Sequence, residues 1–203
     1  MKLSEINKPK TSRGEKTFNK IVKTGKTLFA KQGFYATSIN EIIEKSNVAT
    51  GTFYIYFESK TALYLYILEQ YQHSIRTASS IATEGLTNRV DIEKAGLKAF
   101  IKYVLQDKLA YKIIWESLTV DYNIFRNYYE SFSNRYVQGL SKAKEVGQLK
   151  DGVDIRTLSY IFMGIANFVG LQAIFKDNIT EEEIDLLVEQ AILIIHHGAF
   201  VSF

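Results

Sequence analysis

The chain has 203 residues, a single proline (Pro9) and no cysteine. This length is enough for one large domain, or for a small domain and a larger one. The absence of cysteine excludes disulfides, thiolate catalysis and cysteine-ligated zinc. Because the one proline lies near the start, the rest of the chain can form helix after helix without interruption. The composition is compatible with an all-α protein in a reducing compartment.

The positive charge is concentrated in the first part of the chain. The net charge is +3, but residues 1–60 hold eleven Lys and Arg against five Asp and Glu, whereas residues 61–203 hold fourteen against seventeen. Basic residues release counterions from phosphate and supply most non-specific affinity for DNA. A solvated lysine-rich surface would show the same excess, so charge alone leaves both interpretations open.

Residues 1–15 have no apolar periodicity and are rich in basic residues, which predicts a flexible basic arm. Such arms contact DNA phosphates or a minor groove in other DNA-binding domains, and a frayed terminus has the same composition. A first helix is predicted from about Glu15 to Gln32. Its apolar residues form one stripe, and Gly33 is placed to end it.

The segment that follows contains the signals of two short helices joined by a tight turn. Ser38 and Glu41 form a capping box, in which the Ser hydroxyl accepts from the Glu N–H and the Glu carboxylate reaches back. Asn47 tolerates the left-handed conformation that a helix C-terminus needs. A second short helix is predicted to begin near Thr50.

Two short helices joined by such a turn form the helix-turn-helix, whose second helix enters the DNA major groove. The residues around the turn are Gly33-Phe34, Thr37-Ser38, Gly51-Thr52-Phe53-Tyr54, Tyr56-Phe57 and Ser59-Lys60. This string resembles the N-terminal domain of TetR-family transcriptional regulators over about residues 16–65; the rest resembles the family only in size and helical character. Asn47 stands where the family usually has Gly. Ala49 stands where it often has a capping Ser, so Thr50 is expected to supply that cap.

Eight residues are predicted to contact DNA: Ser38, Asn40, Thr50, Gly51, Thr52, Tyr54, Tyr56 and Lys60. Thr can contact a thymine methyl group or a phosphate, and Tyr can donate to phosphate oxygens. Lys60 begins a helix, where its ammonium and the free N–H groups favour a phosphate. The segment 50–57 has no Arg, Gln or Asn, so specificity is expected to depend on apolar contacts, the Gly51 backbone or DNA shape. The alternative for Tyr54 is packing against the first helix.

The helix that begins at Lys60, capped by Ser59, is predicted to continue to about residue 82. It connects the helix-turn-helix domain, residues 16–62, to a larger domain, residues 83–203. Five further helices are predicted at about 90–106, 110–117, 122–146, 154–175 and from 180 to nearly the C-terminus. Asp154 caps the fourth of these, and Thr180 with Glu183 forms a capping box for the last.

The last two predicted helices are apolar on more than one face, and residues 184–201 are apolar nearly all round. Such helices are buried on more than one side, so a partner subunit is the natural cover. The resemblance implies the same, because TetR regulators usually form homodimers through their last two long helices. A dimer places two recognition helices about one DNA turn apart, on a palindromic site.

The apolar runs near the C-terminus are short and interrupted by polar residues, so no membrane span is expected. No N-terminal segment resembles a signal peptide, which predicts a cytoplasmic protein.

An aromatic-rich set of residues in the larger domain is predicted to line an effector site: Tyr103, Tyr111, Trp115, Glu116, Phe125, Tyr129, Phe132, Phe162 and Asn167. Aromatic walls with few polar groups suit a sizeable apolar ligand. For any single residue of the set, ordinary core packing is the simpler explanation. The resemblance implies small-molecule sensing in this region, with a small apolar or amphipathic effector such as an acyl-CoA or another lipophilic compound.

The sequence contains no signature of metal binding or catalysis. The adjacent His196 and His197 point to different helix faces and do not form a chelating pair. No nucleophile elbow and no phosphate-binding loop is present. We therefore expect no metal, no cofactor and no enzymatic activity.

The sequence predicts an all-α protein with an N-terminal three-helix helix-turn-helix domain and a larger helical domain for ligand binding and dimerisation. The expected function is a ligand-responsive transcriptional repressor, released from a palindromic operator in double-stranded DNA when a small apolar effector binds the C-terminal domain. One alternative is an activator, or a DNA-associated protein without small-molecule control. An alternative of another class is a helical binding module with a vestigial DNA-binding domain.

Overall fold

The computed structural model describes residues 6–197, and its regular secondary structure is helical. The described helices are α1 (Ser12–Gln32), α2 (Ile39–Ser46), α3 (Thr50–Tyr56), α4 (Lys60–Ala82), α5 (Arg89–Gln106), α6 (Lys108–Val120), α7 (Tyr122–Glu145), α8 (Ile155–Phe175) and α9 (Glu181–His197). Between residues 6 and 197 there is no strand longer than an isolated bridge. The prediction of an all-α protein is confirmed.

Several helices begin at the side-chain caps that the sequence indicates. The Ser38 hydroxyl accepts from the Glu41 N–H at 3.1 Å and starts α2. The Asp154 carboxylate accepts from a first-turn N–H at 2.7 Å and starts α8. Both halves of the capping box before α9 are present, since Thr180 N–H donates to Glu183 at 2.9 Å and Glu183 N–H donates to Thr180 at 3.2 Å.

Helix α3 begins without the cap that the sequence predicts from Thr50. The N-cap residue is Ala49, which has no side-chain hydrogen bond to offer, and Thr50 is the first helical residue. A capping hydroxyl has to come from the extended residue that precedes the helix. Thr50 lies one position too late, so this expectation is wrong.

The start of the chain is more ordered than a flexible arm over the part that the structure describes. Residues 12–15 belong to α1, whose N-cap Thr11 accepts from the Gly14 N–H at 3.1 Å. Ile6 forms an isolated antiparallel bridge with Phe57, and Asn7 N–H donates to the Tyr56 carbonyl at 3.0 Å. Residues 1–5, the first part of the predicted arm, lie outside the described residues.

The described chain divides into two compact units. Unit 1 comprises residues 6–72 and 109–128, and unit 2 comprises residues 73–108 and 129–197. Helices α4 and α7 each contribute residues to both. Residues 109–128, which the sequence analysis assigned to the larger domain, therefore group with the N-terminal helices.

The core of unit 1 is built from aromatic and aliphatic side chains of α1 to α4 and of Phe57, which follows α3. Phe29 packs edge-on against Tyr64, with ring centroids 5.3 Å apart, and Phe18 stacks on Phe57 at 5.0 Å. Gly25 lets α1 approach α4 closely, because a Cβ at this position would lie 2.6 Å from a methyl carbon of Leu63.

Unit 2 has a hydrophobic core where α5, α8 and α9 meet. Leu97, Ile101, Ala173, Ile184, Val188, Ala191 and Ile192 form this core. Beside it lies a buried polar network, in which the carboxylate of Glu93 pairs with Arg89 and accepts from the Tyr136 hydroxyl at 3.1 Å. Burial raises the pKa of Glu93, although the neighbouring Arg89 opposes that shift.

Large apolar side chains of α8 and α9 stay exposed in the single chain. They include Ile161, Phe168 and Phe175 on α8 and Leu186, Leu193 and Ile194 on α9. By length and composition alone α8 could cross a membrane, but core helices of soluble proteins share this property, so it does not indicate a span. The part of the predicted last helix beyond His197 lies outside the described residues.

Candidate nucleic-acid interface

Helices α2 and α3 are joined by a three-residue turn, residues 47–49. Asn47 adopts the left-handed conformation, with φ 48° and ψ 55°, and its N–H donates to the carbonyls of the last turn of α2. Ala49 returns to extended backbone, with φ −70° and ψ 149°. The short polar side chain of Asn tolerates the left-handed region, so the chain can turn sharply between the helices. Two short helices with this connection form a helix-turn-helix.

One side of this pair is open. Five of the eight predicted DNA contacts are exposed in unit 1, namely Ser38, Asn40, Thr50, Gly51 and Tyr54. A Cβ added at Gly51 would meet no atom within 4 Å, so the backbone of α3 is accessible there. Tyr54 is 50% exposed, and its ring lies nearly perpendicular to that of Phe53. The open side of α3 therefore presents the Thr50 hydroxyl, the accessible backbone of Gly51 and the Tyr54 phenol.

The other three predicted contacts, Thr52, Tyr56 and Lys60, are partly buried. Tyr56 packs edge-on against Phe18 of α1, with ring centroids 5.5 Å apart. The packing that the sequence analysis considered for Tyr54 is thus made by Tyr56. The ring contact of Tyr54 is with Phe53 of its own helix, at a centroid distance of 5.4 Å.

Sequence reasoning did not single out Ile55, which is 57% exposed on α3. Phe53 and Phe57 are both fully buried, and Ile55 lies midway between them. Because successive helical residues are separated by about 100°, a residue two positions from a buried one lies on the opposite side. Helical spacing from Phe53 could have identified Ile55 as an apolar group on the open face.

The ammonium of Lys60 is held within unit 1. Lys60 Nζ donates to the carbonyl of Phe34 at 2.6 Å and to that of Thr37 at 2.7 Å, and it lies 4.3 Å from the centre of the Phe34 ring. Burial lowers the pKa of Lys60, while the charge of Glu116 raises it. Lys60 therefore fixes the loop before α2, and its contact with a phosphate stays a prediction.

Glu116 of α6 meets the same loop from the other side. Its Oε1 accepts from the backbone N–H of Phe34 at 2.6 Å. A Cβ at Gly33 would lie 2.7 Å from that oxygen, and Gly33 has φ +89°, so this approach requires glycine. Glu116 was predicted to line an effector site, whereas in the structure its carboxylate binds the loop before α2.

The structure distributes the predicted effector residues between the two units. Tyr111, Trp115, Glu116 and Phe125 belong to unit 1, and Tyr103, Tyr129, Phe132, Phe162 and Asn167 belong to unit 2. Burial raises the pKa of both Tyr103 and Tyr129 to about 12. Asn167 donates to the Met163 carbonyl of its own helix at 2.7 Å. An effector site formed by these nine residues stays a prediction.

Metal-binding clusters are absent from the described part of the chain. No group of three or more His, Asp or Glu side chains in residues 6–197 could hold a metal ion. The geometry of unit 1 is instead that of a protein that binds DNA through a helix-turn-helix.

Comparison with known proteins finds a family match for the N-terminal part of the chain. Residues 21–67 match the family model described as bacterial regulatory proteins, tetR family. The HTH-type transcriptional regulator YerO of Bacillus subtilis is 48% identical over 52 residues, which are 26% of this chain and 18% of YerO. The chain spans from about a fifth to about half of the length of the first curated relatives that it matches.

Two solved structures share the fold over nearly the whole chain. A TetR-family regulator from Syntrophomonas wolfei has a TM-score of 0.78 and 20% identity, with 93% of this chain and 99% of that chain covered. FadR of Bacillus subtilis, in complex with stearoyl-CoA, has a TM-score of 0.76 and 15% identity, with 90% and 100% covered. At such identities the likeness concerns the fold.

The match to bacterial regulatory proteins covers the helix-turn-helix, and the likeness of the whole chain to solved structures concerns its fold. Residues 21–67 form a helix-turn-helix domain of the TetR family of transcriptional regulators. Members of this family are non-enzymatic, bind DNA and act as dimers.

Proposed function

We propose that this protein is a ligand-responsive transcriptional repressor that binds a palindromic operator as a homodimer. The observation that carries the proposal is the open side of α3, where Thr50, Gly51 and Tyr54 are exposed next to the turn at Asn47. A helix-turn-helix inserts its second helix into the major groove with the N-terminal residues at the base edges. Thr50 and Gly51 begin α3 and would meet the bases first.

The chemistry of α3 favours contacts other than bidentate base pairing. Thr50 and Ile55 offer methyl groups to thymine, and Tyr54 offers a hydroxyl to phosphate. Ser38 and Asn40 lie at the start of α2, where backbone N–H groups attract phosphate. Specificity would then depend on thymine methyl groups and on DNA shape.

The exposed apolar face of α8 and α9 supports homodimerisation through these helices. Ile161, Phe168 and Phe175 recur every seventh residue of α8, and each is at least 49% exposed. A contiguous apolar face of this kind marks an interaction site. A second copy of the chain would cover it and set the spacing of the two recognition helices.

For the effector we propose a small apolar or amphipathic compound, with acyl-CoA as the first candidate. Support comes from the aromatic side chains of unit 2, Tyr103, Tyr129, Phe132 and Phe162, and from the shared fold with FadR, which was solved with stearoyl-CoA. Effector binding would lower operator affinity and, by linkage, operator binding would lower effector affinity by the same factor. We place this activity in the cytoplasm.

The test begins with a duplex enriched by the protein from a random-sequence library. Fluorescence anisotropy then measures its affinity at several salt concentrations, and stearoyl-CoA is titrated into the complex. We expect a steep loss of affinity with salt, a palindromic consensus, and release of the duplex by the acyl-CoA.

Each part of the proposal has its own contrary outcome. An affinity independent of salt would indicate a vestigial DNA-binding domain. Equal stearoyl-CoA affinity with and without the duplex would refute acyl-CoA control. As a matched pair, Tyr54→Ala should weaken binding of the duplex, and Tyr122→Ala, at an exposed tyrosine of α7 outside the helix-turn-helix, should not.

A further inference from the structure

Helix α6 is part of the same compact unit as the helix-turn-helix, and hydrogen bonds join them. The Tyr64 hydroxyl of α4 donates to the Ile113 carbonyl at 2.5 Å. The Tyr35 hydroxyl donates to the carbonyls of Thr119 and Val120, at 3.3 and 3.2 Å. The first bond joins α6 to α4, and the bonds from Tyr35 hold the end of α6 against the loop that leads into α2.

That loop, residues 33–37, has its backbone groups bound from two sides. Phe34 N–H donates to Glu116 of α6, and the Phe34 carbonyl accepts from Lys60 of α4. The Thr37 hydroxyl donates to the Gly33 carbonyl at 2.7 Å, and the Thr37 carbonyl accepts from Lys60. The next residue, Ser38, caps α2, so the direction of α2 depends on how this loop is held.

Of these four bonds to the loop, the bond from Glu116 comes from outside the three helices of the helix-turn-helix and α4. A hydrogen bond with an ionised acceptor is shorter and stronger than one between neutral groups, and the 2.6 Å distance between Glu116 Oε1 and Phe34 N fits this class. Gly33 is required for the approach, since any side chain there would displace the carboxylate.

We propose that Glu116 is a positioning residue for DNA binding, which fixes the Gly33–Phe34 turn and through it the start of α2. Lys60 secures the same turn from α4. The inference rests on the proposed DNA-binding function. It assigns α6 a direct part in holding the helix-turn-helix in its DNA-binding geometry, through one carboxylate and one backbone N–H.

The experiment compares Glu116→Ala and Glu116→Gln in the full chain, with Glu145→Ala as a control for the loss of one exposed helical carboxylate. The library-enriched duplex is the probe. Glu116→Ala should weaken the affinity about tenfold at every salt concentration, because a bond to a charged acceptor is lost. The slope of affinity against salt should not change, since no phosphate contact is removed.

Glu116→Gln retains an acceptor for the Phe34 N–H and should recover part of the lost affinity. An NMR signature accompanies the affinity: the Phe34 amide should exchange faster and shift upfield in Glu116→Ala, less so in Glu116→Gln, and not at all in Glu145→Ala. If Glu116→Ala fails to fold, Glu116→Gln alone still has to show the smaller loss of affinity and the smaller shift.

Affinity for the duplex equal to wild type in both Glu116 variants would overturn the inference and leave the proposed function intact. A wild-type protein that binds no duplex would overturn the proposed function and this inference with it. A Phe34 amide unchanged in Glu116→Ala would also overturn the inference, whatever the affinity.

Discussion

At the scale of single residues, two positions have a conformation or a charge that few side chains can satisfy. Asn47 has a positive φ of 48° in the turn between α2 and α3. Glu93 is a buried carboxylate whose partners are Arg89 and Tyr136. At both positions one side chain stabilises the neighbouring helices, so its substitution should measurably lower the free energy of unfolding.

Asn47→Ala should lower the free energy of unfolding by about 1 kcal/mol, because the left-handed conformation costs a Cβ-bearing residue roughly 1–2 kcal/mol. Asn47→Gly should stay within a few tenths of a kcal/mol of wild type, since glycine adopts this conformation readily. Urea denaturation measures both, with Asn19→Ala on the exposed side of α1 as the control. Equal stability of the Ala and Gly variants at position 47 would contradict the assigned turn.

Tyr136→Phe should lower the free energy of unfolding at neutral pH by about 1–2 kcal/mol, because the buried carboxylate of Glu93 loses a donor. The pKa of Glu93 is already raised by burial, and removing the hydroxyl should raise it further. A raised pKa in the folded state means that folding binds a proton, so the contribution of Glu93 to stability is full below its ordinary pKa and is lost as pH rises through the folded pKa.

The cost of Tyr136→Phe should therefore shrink as pH falls from neutral into the acid range, where Glu93 is neutral. Urea denaturation at several pH values follows this change. Tyr122→Phe, at a tyrosine that is 65% exposed, is the control and should show no cost at any pH. If Tyr136→Phe lowers the free energy of unfolding by the same amount at every pH, the Tyr136 hydroxyl does not act through the Glu93 carboxylate.

At the scale of helices, the packing of α1 on α4 in unit 1 depends on a missing side chain. Gly25 is buried, and Leu63 opposite it is fully buried, so neither backbone nor side chain has room to move. In unit 2 the glycine of α5, Gly96, has open surroundings, with the nearest atom 4.0 Å from an added Cβ. The two glycines occupy helix interiors but differ in what they contact.

Gly25→Ala should lower the free energy of unfolding by about 1–3 kcal/mol through overpacking against Leu63. Gly96→Ala should raise it by up to about 1 kcal/mol, because alanine is the better helix former and nothing opposes its methyl group. Thermal and urea unfolding of the pair would settle the comparison. If the free energy of unfolding changes in the same direction in both variants, close contact between α1 and α4 at Gly25 is contradicted.

At the scale of the whole molecule, the main unfavourable feature of the single chain is the exposed apolar surface of α8 and α9. TetR-family proteins act as dimers, and a dimer through these helices would remove Ile161, Phe168 and Leu193 from water. Burial of apolar area contributes about 25 cal/mol per Å², so a charge placed in this face should be costly to association.

Leu193→Glu should weaken dimerisation by at least about tenfold, since a buried, uncompensated charge at an interface costs more than 1 kcal/mol. Ile81→Glu, at an exposed isoleucine near the end of α4, should leave the dimer intact. Sedimentation equilibrium measures both. Because Leu193→Glu weakens the dimer, it should also lower the affinity for a palindromic duplex. If the dimer is as stable in Leu193→Glu as in the wild type, this face is not the interface.

Local signals in the sequence predicted the helices well. Ser38, Asp154 and the Thr180–Glu183 box each start a helix where expected, because a cap involves residues only two or three positions apart. The prediction of a cap from Thr50 was wrong by one position. Asn47 was correctly placed in a left-handed turn, since few other residues tolerate that conformation.

The partners of long charged side chains could not be predicted in this way. Lys60 was expected to reach a phosphate and Glu116 an effector, whereas both bind the backbone around Phe34. Glu116 and Phe34 are 82 positions apart in sequence, and no periodicity or spacing records such a contact.

The sequence by itself determined the helical class, the helix-turn-helix and its place near the N-terminus, because these follow from caps, turns and apolar spacing within a few residues. Only the tertiary structure decided that residues 109–128 join the N-terminal helices in one unit and that Glu116 and Lys60 hold the loop before α2. The physical reason is that a charged side chain on a helix can satisfy its hydrogen bonds with any group that folding brings within reach, and that choice depends on the packing of distant elements.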